Sequence, residues 1–525
     1  MKYFLLTFLV IFYGCSNNGK KSEDELPEKA EANLTGEQLS RTYCSNCHLY
    51  PSPELLDKKS WEQGVLPQMG YRFGIYGKIS RDSLLEKGIA RKIVEEAGVF
   101  PVKQLIDNEK WEKIKQFYLE KAPDSLPVAE DRTIEKGMPG FKVVMPNGHK
   151  TRAMTTSIKY DVESKYYYLA NSYTKNNSVS IFNAKIEPEV ELGLPFPISD
   201  VTIRSDTLLI LMMGHFIPSD EPAGMLVKAF KGPGNSGYKG GGFSVLLKDL
   251  QRPVHVAYSD VNEDGGEDIV VCEYGNHTGS LSLFLKRKNG YDKKILNKAP
   301  GAIKAIIKDI NHDSLEDIIA LMAQGDEGID IYYNNGDGQF KKERVLRFPS
   351  SYGSVSFSLV DFNQDGFSDI LYTNGDNADY SPVLKPYHGI HIFLNDGTNH
   401  FNESYFFHQN GAYKALAHDF DMDGDIDIAS IAFFPDFFGR PEEGFVYLEN
   451  VSTEEDFNFI PSTFAGSDLG RWITMNIADV DQDGDSDLLL GSFTGMEIRN
   501  DTTGTLLGSM AEKSPSFILL KNMTK

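Results

Sequence analysis

A nine-residue acidic pattern, Asp-x-[Asp/Asn]-x-Asp-Gly-x-x-Asp, occurs five times along this chain of 525 residues. The copies begin at Asp260, Asp309, Asp361, Asp419 and Asp479, and successive starts are 49, 52, 58 and 60 residues apart. The second copy has Ser314 where the other copies have glycine at the sixth position. A pattern that recurs at this period indicates one structural unit repeated along the chain, with each unit stacked on the next.

Strand-like segments surround every copy of the pattern. One apolar run precedes each loop, a second follows it, and a third run of alternating residues ends at a turn. Four strands in about 50 residues indicate a β-propeller blade. Residues 157–182, with Asp161 at the loop position, and residues 201–230, with Asp206 near it, have the same strand order without the acidic pattern. Five intact and two degenerate blades predict an all-β, seven-bladed propeller over residues 139–525.

The final predicted blade has only three strands, the third at residues 517–520. A missing fourth strand would leave an open sheet edge, which is prone to wrong pairing. The strand-like run at residues 140–145 lies just before the first blade. We therefore expect this segment to complete the final blade and close the ring.

The acidic loops have the ligand chemistry of a calcium site. Side-chain oxygens at the first, third, fifth and ninth positions can converge, the seventh residue can add a backbone carbonyl, and glycine permits the sharp turn. An EF-hand needs a bidentate Glu at its twelfth position, where this chain has Val271, Ala320, Tyr372, Ser430 and Leu490. The alternative is an Asx-rich turn held by hydrogen bonds alone, in which the acidic residues would repel one another without compensation. The predicted Ca²⁺ ligands are Asp260, Asn262, Asp264, Asp268, Asp309, Asn311, Asp313, Asp317, Asp361, Asn363, Asp365, Asp369, Asp419, Asp421, Asp423, Asp427, Asp479, Asp481, Asp483 and Asp487.

These loops resemble the FG-GAP/VCBS repeats of integrin-α-like propellers. The resemblance rests on five copies of the pattern in register with the predicted strands. It implies one structural calcium ion per acidic blade, which fixes the turn between two strands.

Residues 34–124 have the patterning of a small all-α domain. Thr35 is the predicted N-cap of a first helix, and residues 108–119 have apolar positions at three- and four-residue steps. Pro123 and Pro127 mark the end of this domain and the beginning of a predicted linker, residues 125–138.

The run Cys44-Ser45-Asn46-Cys47-His48 begins this domain. In CxxCH, two thiols add to the haem vinyl groups and the adjacent His supplies the proximal ligand. A zinc knuckle would need further Cys or His ligands, and residues 49–148 contain neither. A redox dithiol is another alternative, but the thioredoxin-like βαβ pattern is absent. The motif therefore predicts covalently attached haem c at Cys44, Cys47 and His48.

Met69, in the run Leu-Pro-Gln-Met-Gly, is the predicted distal haem ligand, with a core-filling methionine as the alternative. Together with CxxCH and the Trp-bearing last helix, this run makes residues 34–124 resemble class I cytochromes c. The resemblance implies His48/Met69 ligation, which favours electron transfer over oxygen chemistry at the iron.

The N-terminus combines Lys2, an apolar run at residues 3–13 and the pair Gly14-Cys15. Residues 1–15 resemble a bacterial lipoprotein signal, which implies cleavage before Cys15 and lipid on its sulfur. An ordinary signal peptide is the alternative. The polar residues 16–33 suit a flexible tether. Ser16, rather than Asp, predicts lipid anchoring in the outer membrane of the cell envelope, on its periplasmic face or at the cell surface.

A formal net charge of −22 argues against nucleic acid as a partner, because phosphate would be repelled. The sequence contains no recognised catalytic motif, so no catalytic residue is predicted. The leading hypothesis is an exported haem c electron-transfer protein with a redox partner protein, in which the propeller is a docking or substrate-binding platform. Two alternatives stay open. One is a propeller oxidoreductase that passes electrons from a small-molecule substrate to the haem, and the other is a surface adhesion protein that binds glycan.

Overall fold

The structure is a computed structural model that describes residues 33–129, 132–146, 152–173, 176–231, 238, 241–378, 380–452 and 457–525. The predicted signal sequence, Cys15 and nearly all of the predicted tether lie outside the described residues. Within the described ranges, no helix is long and apolar enough to cross a membrane.

The N-terminal region is helical, as predicted. Its helices are α1 (Gly36–Cys44), α2 (Lys58–Ser60), a π-helical turn (Trp61–Val65), α3 (Leu66–Arg72), α4 (Gly88–Glu96) and α5 (Asn108–Lys121), with 3₁₀ turns at Pro53–Leu55 and Arg81–Leu84. Thr35 caps α1 in a capping box, because its hydroxyl accepts from the Gln38 backbone N–H and the Gln38 side chain accepts from the Thr35 N–H. The amphipathic helix α5 buries Trp111, Ile114 and Tyr118. The assignment of this region to the cytochromes c stays a prediction.

The rest of the chain forms a seven-bladed β-propeller, which confirms the predicted fold. Within each blade, the strands given below form an antiparallel sheet in which they follow one another in chain order. Blade 1 comprises β3 (Thr155–Asp161), β4 (Tyr166–Asn171), β5 (Asn177–Phe182) and β6 (Pro188–Leu194). Blade 2 comprises β7 (Ile198–Ile203), β8 (Thr207–Met212), β9 (Gly224–Phe230) and β10 (Phe243–Leu250). Blade 3 comprises β11 (Pro253–Ser259), β12 (Asp268–Glu273), β13 (Ser280–Arg287) and β14 (Gly290–Asn297).

The remaining blades repeat this order. Blade 4 comprises β15 (Ala302–Lys308), β16 (Asp317–Met322), β17 (Gly328–Asn334) and β18 (Phe340–Arg347). Blade 5 comprises β19 (Ser354–Val360), β20 (Asp369–Asn374), β21 (Gly389–Asn395) and β22 (Phe401–His408). Blade 6 comprises β23 (Ala412–His418), β24 (Asp427–Ala432), β25 (Phe445–Asn450) and β26 (Phe459–Thr463). Blade 7 comprises β27 (Trp472–Ala478), β28 (Asp487–Ser492) and β29 (Phe517–Asn522), with α6 (Thr505–Lys513) between the last two strands.

An N-terminal strand closes the ring, as predicted. Strand β2 (Phe141–Val144) pairs antiparallel with β29, with Phe141 opposite Asn522 and Val144 opposite Leu519. Just before it, β1 (Glu135–Lys136) pairs parallel with β26 and gives blade 6 a fifth strand. Part of the predicted linker, at β1, is therefore built into blade 6.

Apolar clusters lie between successive blades around the whole ring. The cluster that joins the two ends includes Ile158 and Tyr167 from blade 1 with Leu489, Phe517 and Leu519 from blade 7. Sheet faces that pack in this way explain why the second strands are buried throughout, with no polar alternation.

The connections between strands divide between two faces of the ring. The acidic loops join the first and second strands of blades 3 to 7, so all five lie on one face, called here the acidic face. The connections between second and third strands lie on the opposite face, called here the docking face. All the contacts between the helical region and the propeller that are described below are made to the docking face.

Candidate functional site

The CxxCH motif lies at the end of the first helix. Cys44 is the last residue of α1 and is partly buried, whereas Cys47 is exposed. The Nδ1 atom of His48 lies 2.9 Å from the backbone carbonyl oxygen of Leu49. Because a carbonyl can only accept, Nδ1 is the donor in this contact, and in the neutral ring Nε2 then keeps its lone pair. This tautomer is the one that an imidazole needs to ligate a metal through Nε2.

The surroundings of Cys44 favour an uncharged sulfur. Burial raises the pKa of the Cys44 thiol to about 11, although a hydrogen bond with Tyr118 acts in the opposite direction. The Tyr118 hydroxyl itself donates to the carbonyl oxygen of Pro51 over 2.7 Å. A thioether carries no charge, so this position suits a sulfur that is attached to haem.

Met69 lies on α3 and packs against the apolar core of the helical region. One turn further along, Phe73 contacts Tyr43 of α1 edge to face, with ring centroids 6.0 Å apart. Helix α1, which ends at Cys44 four residues before His48, and helix α3, which carries Met69, therefore meet in one core. Among the described residues, no group of three or more His, Cys, Asp or Glu side chains that could hold a metal ion includes Cys44, Cys47 or His48, which weakens the zinc alternative.

Polar contacts fasten the helical region to the docking face. The Glu86 carboxylate accepts from the Ser219 hydroxyl over 2.6 Å and from the Asp220 backbone N–H over 2.8 Å. Arg72 Nη2 donates to Nδ1 of His277 over 3.1 Å. Burial lowers the pKa of Arg72, whereas the charges of Tyr380, Asp220 and Cys47 raise it. The CxxCH motif therefore lies close to the contact with the propeller.

A cavity of about 950 Å³ lies between the two parts of the protein. Ser60, Gln63 and Gly64 line it from the helical region, and Tyr380, Phe437 and Arg471 are among its propeller residues. The sequence alone did not predict this cavity, because its walls come from segments more than 300 residues apart.

The acidic loops share a hydrogen-bonded framework. The ninth-position carboxylates are buried at the start of the second strands and accept backbone N–H groups, as Asp317 does from Ile310 over 3.2 Å and Asn334 over 2.8 Å. This residue therefore ties the loop to the third strand. The carboxylate at the first position accepts from the sixth-position backbone N–H in all five loops.

The third position divides the loops into two kinds. In the three loops with asparagine there, its amide donates to the fifth-position carboxylate, and both oxygens of the first carboxylate accept backbone N–H groups. In the two loops with aspartate there, the Oδ1 atoms of Asp419 and Asp479 are buried without a hydrogen-bond partner in the described structure. These loops also bring one oxygen from each of three carboxylates within 4.8 Å of one another, in the sets Asp419, Asp421, Asp423 and Asp479, Asp481, Asp483.

The acidic loops of blades 6 and 7 have different electrostatic environments, because different side chains of the neighbouring strands lie beside them. Glu449, at the end of β25, has a raised pKa through burial and the charges of Asp421, Asp423 and Glu135. At the equivalent place in blade 7, Lys521 binds the Asp481 carboxylate. The loop of blade 6 is therefore surrounded by additional negative charge, whereas the loop of blade 7 has an ammonium group beside it.

Carboxylate repulsion is visible in the blade 6 loop. Burial and the nearby Asp423 raise the pKa of Asp425 to about 6. A divalent cation among these oxygens would offset that repulsion.

The comparisons with known proteins agree with the repeat. The family described as FG-GAP-like repeat matches residues 309–372, which contain the second and third acidic loops. No curated protein matches the chain.

Solved structures with low similarity cover most of the chain. The N-terminal domain of Nup159 is 10% identical, with a TM-score of 0.40, over 74% of this chain and 99% of that one. A luciferin-regenerating enzyme is 7% identical, with a TM-score of 0.37, over 73% of this chain and 96% of that one. A putative 6-phosphogluconolactonase from Bacteroides fragilis is 12% identical, with a TM-score of 0.38, over 59% of this chain and 84% of that one. No functional property follows from these likenesses.

Proposed function

We propose that this protein is an exported haem c electron-transfer protein, whose calcium-binding propeller holds the haem region and serves as a docking or substrate-binding platform. The observation that carries the proposal is the CxxCH motif at the end of α1, where the Nδ1 atom of His48 is engaged by a backbone carbonyl. When bound, haem would supply reversible one-electron transfer.

The residues of the helical region would divide the work of holding the haem. Cys44 and Cys47 would attach it through thioethers, and His48 and Met69 would bind its iron. Trp61 and Tyr118, whose ring centroids lie 4.5 Å apart, would keep water from the adjacent core. A methionine and a histidine together would raise the haem potential and would favour electron transfer over oxygen chemistry.

Calcium and the lipid anchor complete the proposal. Ca²⁺ would bind the acidic loops and brace the face of the propeller that lies opposite the helical region. Lipid on Cys15 and the tether at residues 16–33 would hold the protein at the outer membrane, where it would meet a redox partner protein. No other contact with the membrane is proposed.

The haem proposal is tested by spectroscopy on Met69→Ala, with Met145→Ala as the matched control because Met145 is 46% exposed and lies outside the helical region. Both proteins are expected to keep haem through denaturing electrophoresis, and a Cys44→Ala, Cys47→Ala double variant is expected to lose it. Met69→Ala alone should lose the sulfur-to-iron charge-transfer band of the oxidised protein and have a lower potential.

Two results would contradict these assignments. Wild-type protein without covalent haem, after expression with a haem-attachment system, would refute the cofactor. An unchanged charge-transfer band in Met69→Ala would refute the distal ligand and leave the attachment site intact.

The cavity between the helical region and the docking face supports a second candidate, a propeller oxidoreductase. Its 950 Å³ could hold a small molecule close to the domain that carries the electron acceptor. Reduction of the haem by a sugar or alcohol, lost in Phe437→Ala, would support the enzyme. Glycan binding without haem reduction would instead support the adhesion alternative.

A further inference from the structure

Seven polar residues occupy one equivalent position around the central channel. The first strands of neighbouring blades contact one another around the whole ring, so these strands line the centre. Each first strand has an irregularity in its pairing near its beginning, and the next paired residue is polar in every blade. These residues are Ser157, Asp200, His255, Lys304, Ser356, Lys414 and Thr474.

Three lysines from non-adjacent blades share this channel. Lys304 belongs to blade 4 and Lys414 to blade 6, and Lys159 lies two residues beyond Ser157 in blade 1. The charge of Lys159 acts on Lys304, and both of these charges act on Lys414. Blades 1, 4 and 6 have no common boundary, so these interactions cross the channel.

Among the described residues, the positive charge of these three lysines exceeds the negative charge near them. Asp200 is the single carboxylate, among the described residues, whose charge acts on Lys304 and Lys414. Asp200 already lies 3.7 Å from the Nζ atom of Lys159. Lys414 Nζ donates to the backbone carbonyl oxygen of Met475 over 2.8 Å, which supplies no charge.

The excess of positive charge affects the pKa values of Lys304 and Lys414. Burial and the neighbouring ammonium groups lower the pKa of Lys304 to about 8 and that of Lys414 to about 7. Both lysines are half-buried, and an ammonium group that has lost part of its water is stabilised by a counter-charge or by hydrogen bonds. The channel is therefore basic within a chain whose net charge is −22.

We propose that the central channel binds an oxyanion, a phosphate or a carboxylate, between Lys159, Lys304 and Lys414. The anion supplies the negative charge that the three ammonium groups lack. Ser356 and Thr474, at the equivalent positions of blades 5 and 7, put hydroxyl donors into the same ring. The site is independent of the haem and of the acidic face.

Isothermal titration calorimetry on the full chain, with inorganic phosphate and with acetate at matched ionic strength, tests the site. Wild-type protein is expected to bind one of the two saturably at one site, and the preferred anion distinguishes phosphate from carboxylate. The Lys304→Met, Lys414→Met double variant should bind at least tenfold more weakly. Lys341→Met is the matched control, because its side chain is 72% exposed on β18, and it should bind as the wild type does.

A second variant keeps the test decisive if the double variant folds poorly. Asp200→Asn removes the competing carboxylate and should increase the affinity for the anion severalfold. The proposal is overturned if neither anion binds saturably, if the double variant binds like the wild type, or if Asp200→Asn binds more weakly.

Discussion

Backbone conformation at single residues in the acidic loops was only partly predictable. The fourth position adopts a left-handed conformation with φ between 56° and 64° in all five loops, although none of its residues is glycine, and these residues are Glu263, His312, Gln364, Met422 and Gln482. The sequence does not reveal this, because the four residue types share no conformational preference. The sixth position was predictable, since glycine there indicates a positive φ. Ser314, the exception, has a φ of 74°.

Ser314→Gly is expected to increase the free energy of unfolding by about 0.5 kcal/mol. The left-handed conformation costs a residue with a Cβ roughly 1–2 kcal/mol, and part of the gain is lost to the greater unfolded-state entropy of glycine. Gly366→Ser, at the same position of the third loop, is the matched reverse variant and should lower the stability. Calorimetric melting of both variants in a calcium chelator makes the comparison, and destabilisation by Ser314→Gly would contradict it.

At the scale of the elements, the sequence predicted the strands and loops but not what surrounds each loop. The strands at residues 269–272 and 318–322 were found because their apolar runs recur at a fixed distance from the acidic pattern. Glu449 and Lys521 were missed, because they reach the loops from third strands more than 20 residues further along the chain. Glu135 approaches from the predicted linker, whose pairing with β26 no local pattern indicates.

The calcium affinities of the last two loops are expected to respond oppositely to the charge beside them. Glu449→Lys should weaken the loop of blade 6 by about tenfold or more, because a like charge near the cation costs on the order of 1–2 kcal/mol at a partly exposed site. Lys521→Glu should strengthen the loop of blade 7, because it frees the Asp481 carboxylate and adds another.

Calcium titrations monitored by calorimetry, with thermal stability in parallel, measure both variants against the wild type. Lys341→Glu controls for a change of net charge, since that lysine is exposed on the outermost strand of blade 4. Calcium affinities that are unchanged in both variants would contradict the effect of these neighbouring charges. No calcium binding by the wild type would mean that the loops are hydrogen-bonded turns without a cation.

At the scale of the whole molecule, ring closure was predictable and the placement of the helical region was not. Counting strands left one missing from the last blade, and residues 140–145 were the segment available to fill it. The contact of Glu86 with Ser219 and Asp220 depends on loops that have no repeated pattern. The ring of polar residues in the channel was predictable in principle, because every first strand has a polar residue near its start. These residues are recognised as equivalent only when the strand registers are aligned.

Gly64 is the position where docking of the helical region can be tested with the least disturbance to its own fold. Gly64 lies in the π-helical turn, and a Cβ there would clash with the backbone carbonyl oxygen of Tyr380 on the docking face. Because alanine favours helix over glycine by about 1 kcal/mol, Gly64→Ala should leave the helices intact while destabilising the contact by roughly 1–3 kcal/mol. For Gly64→Ala we expect faster proteolytic cleavage near residues 125–129 and a larger radius of gyration.

Gly508→Ala is the matched control. It lies in α6 with nothing within 4 Å of the added Cβ, so it should change neither the cleavage rate nor the radius of gyration. If Gly64→Ala is as compact and as resistant as the wild type, the propeller does not hold the helical region through this contact, and its role as a docking platform loses its structural basis.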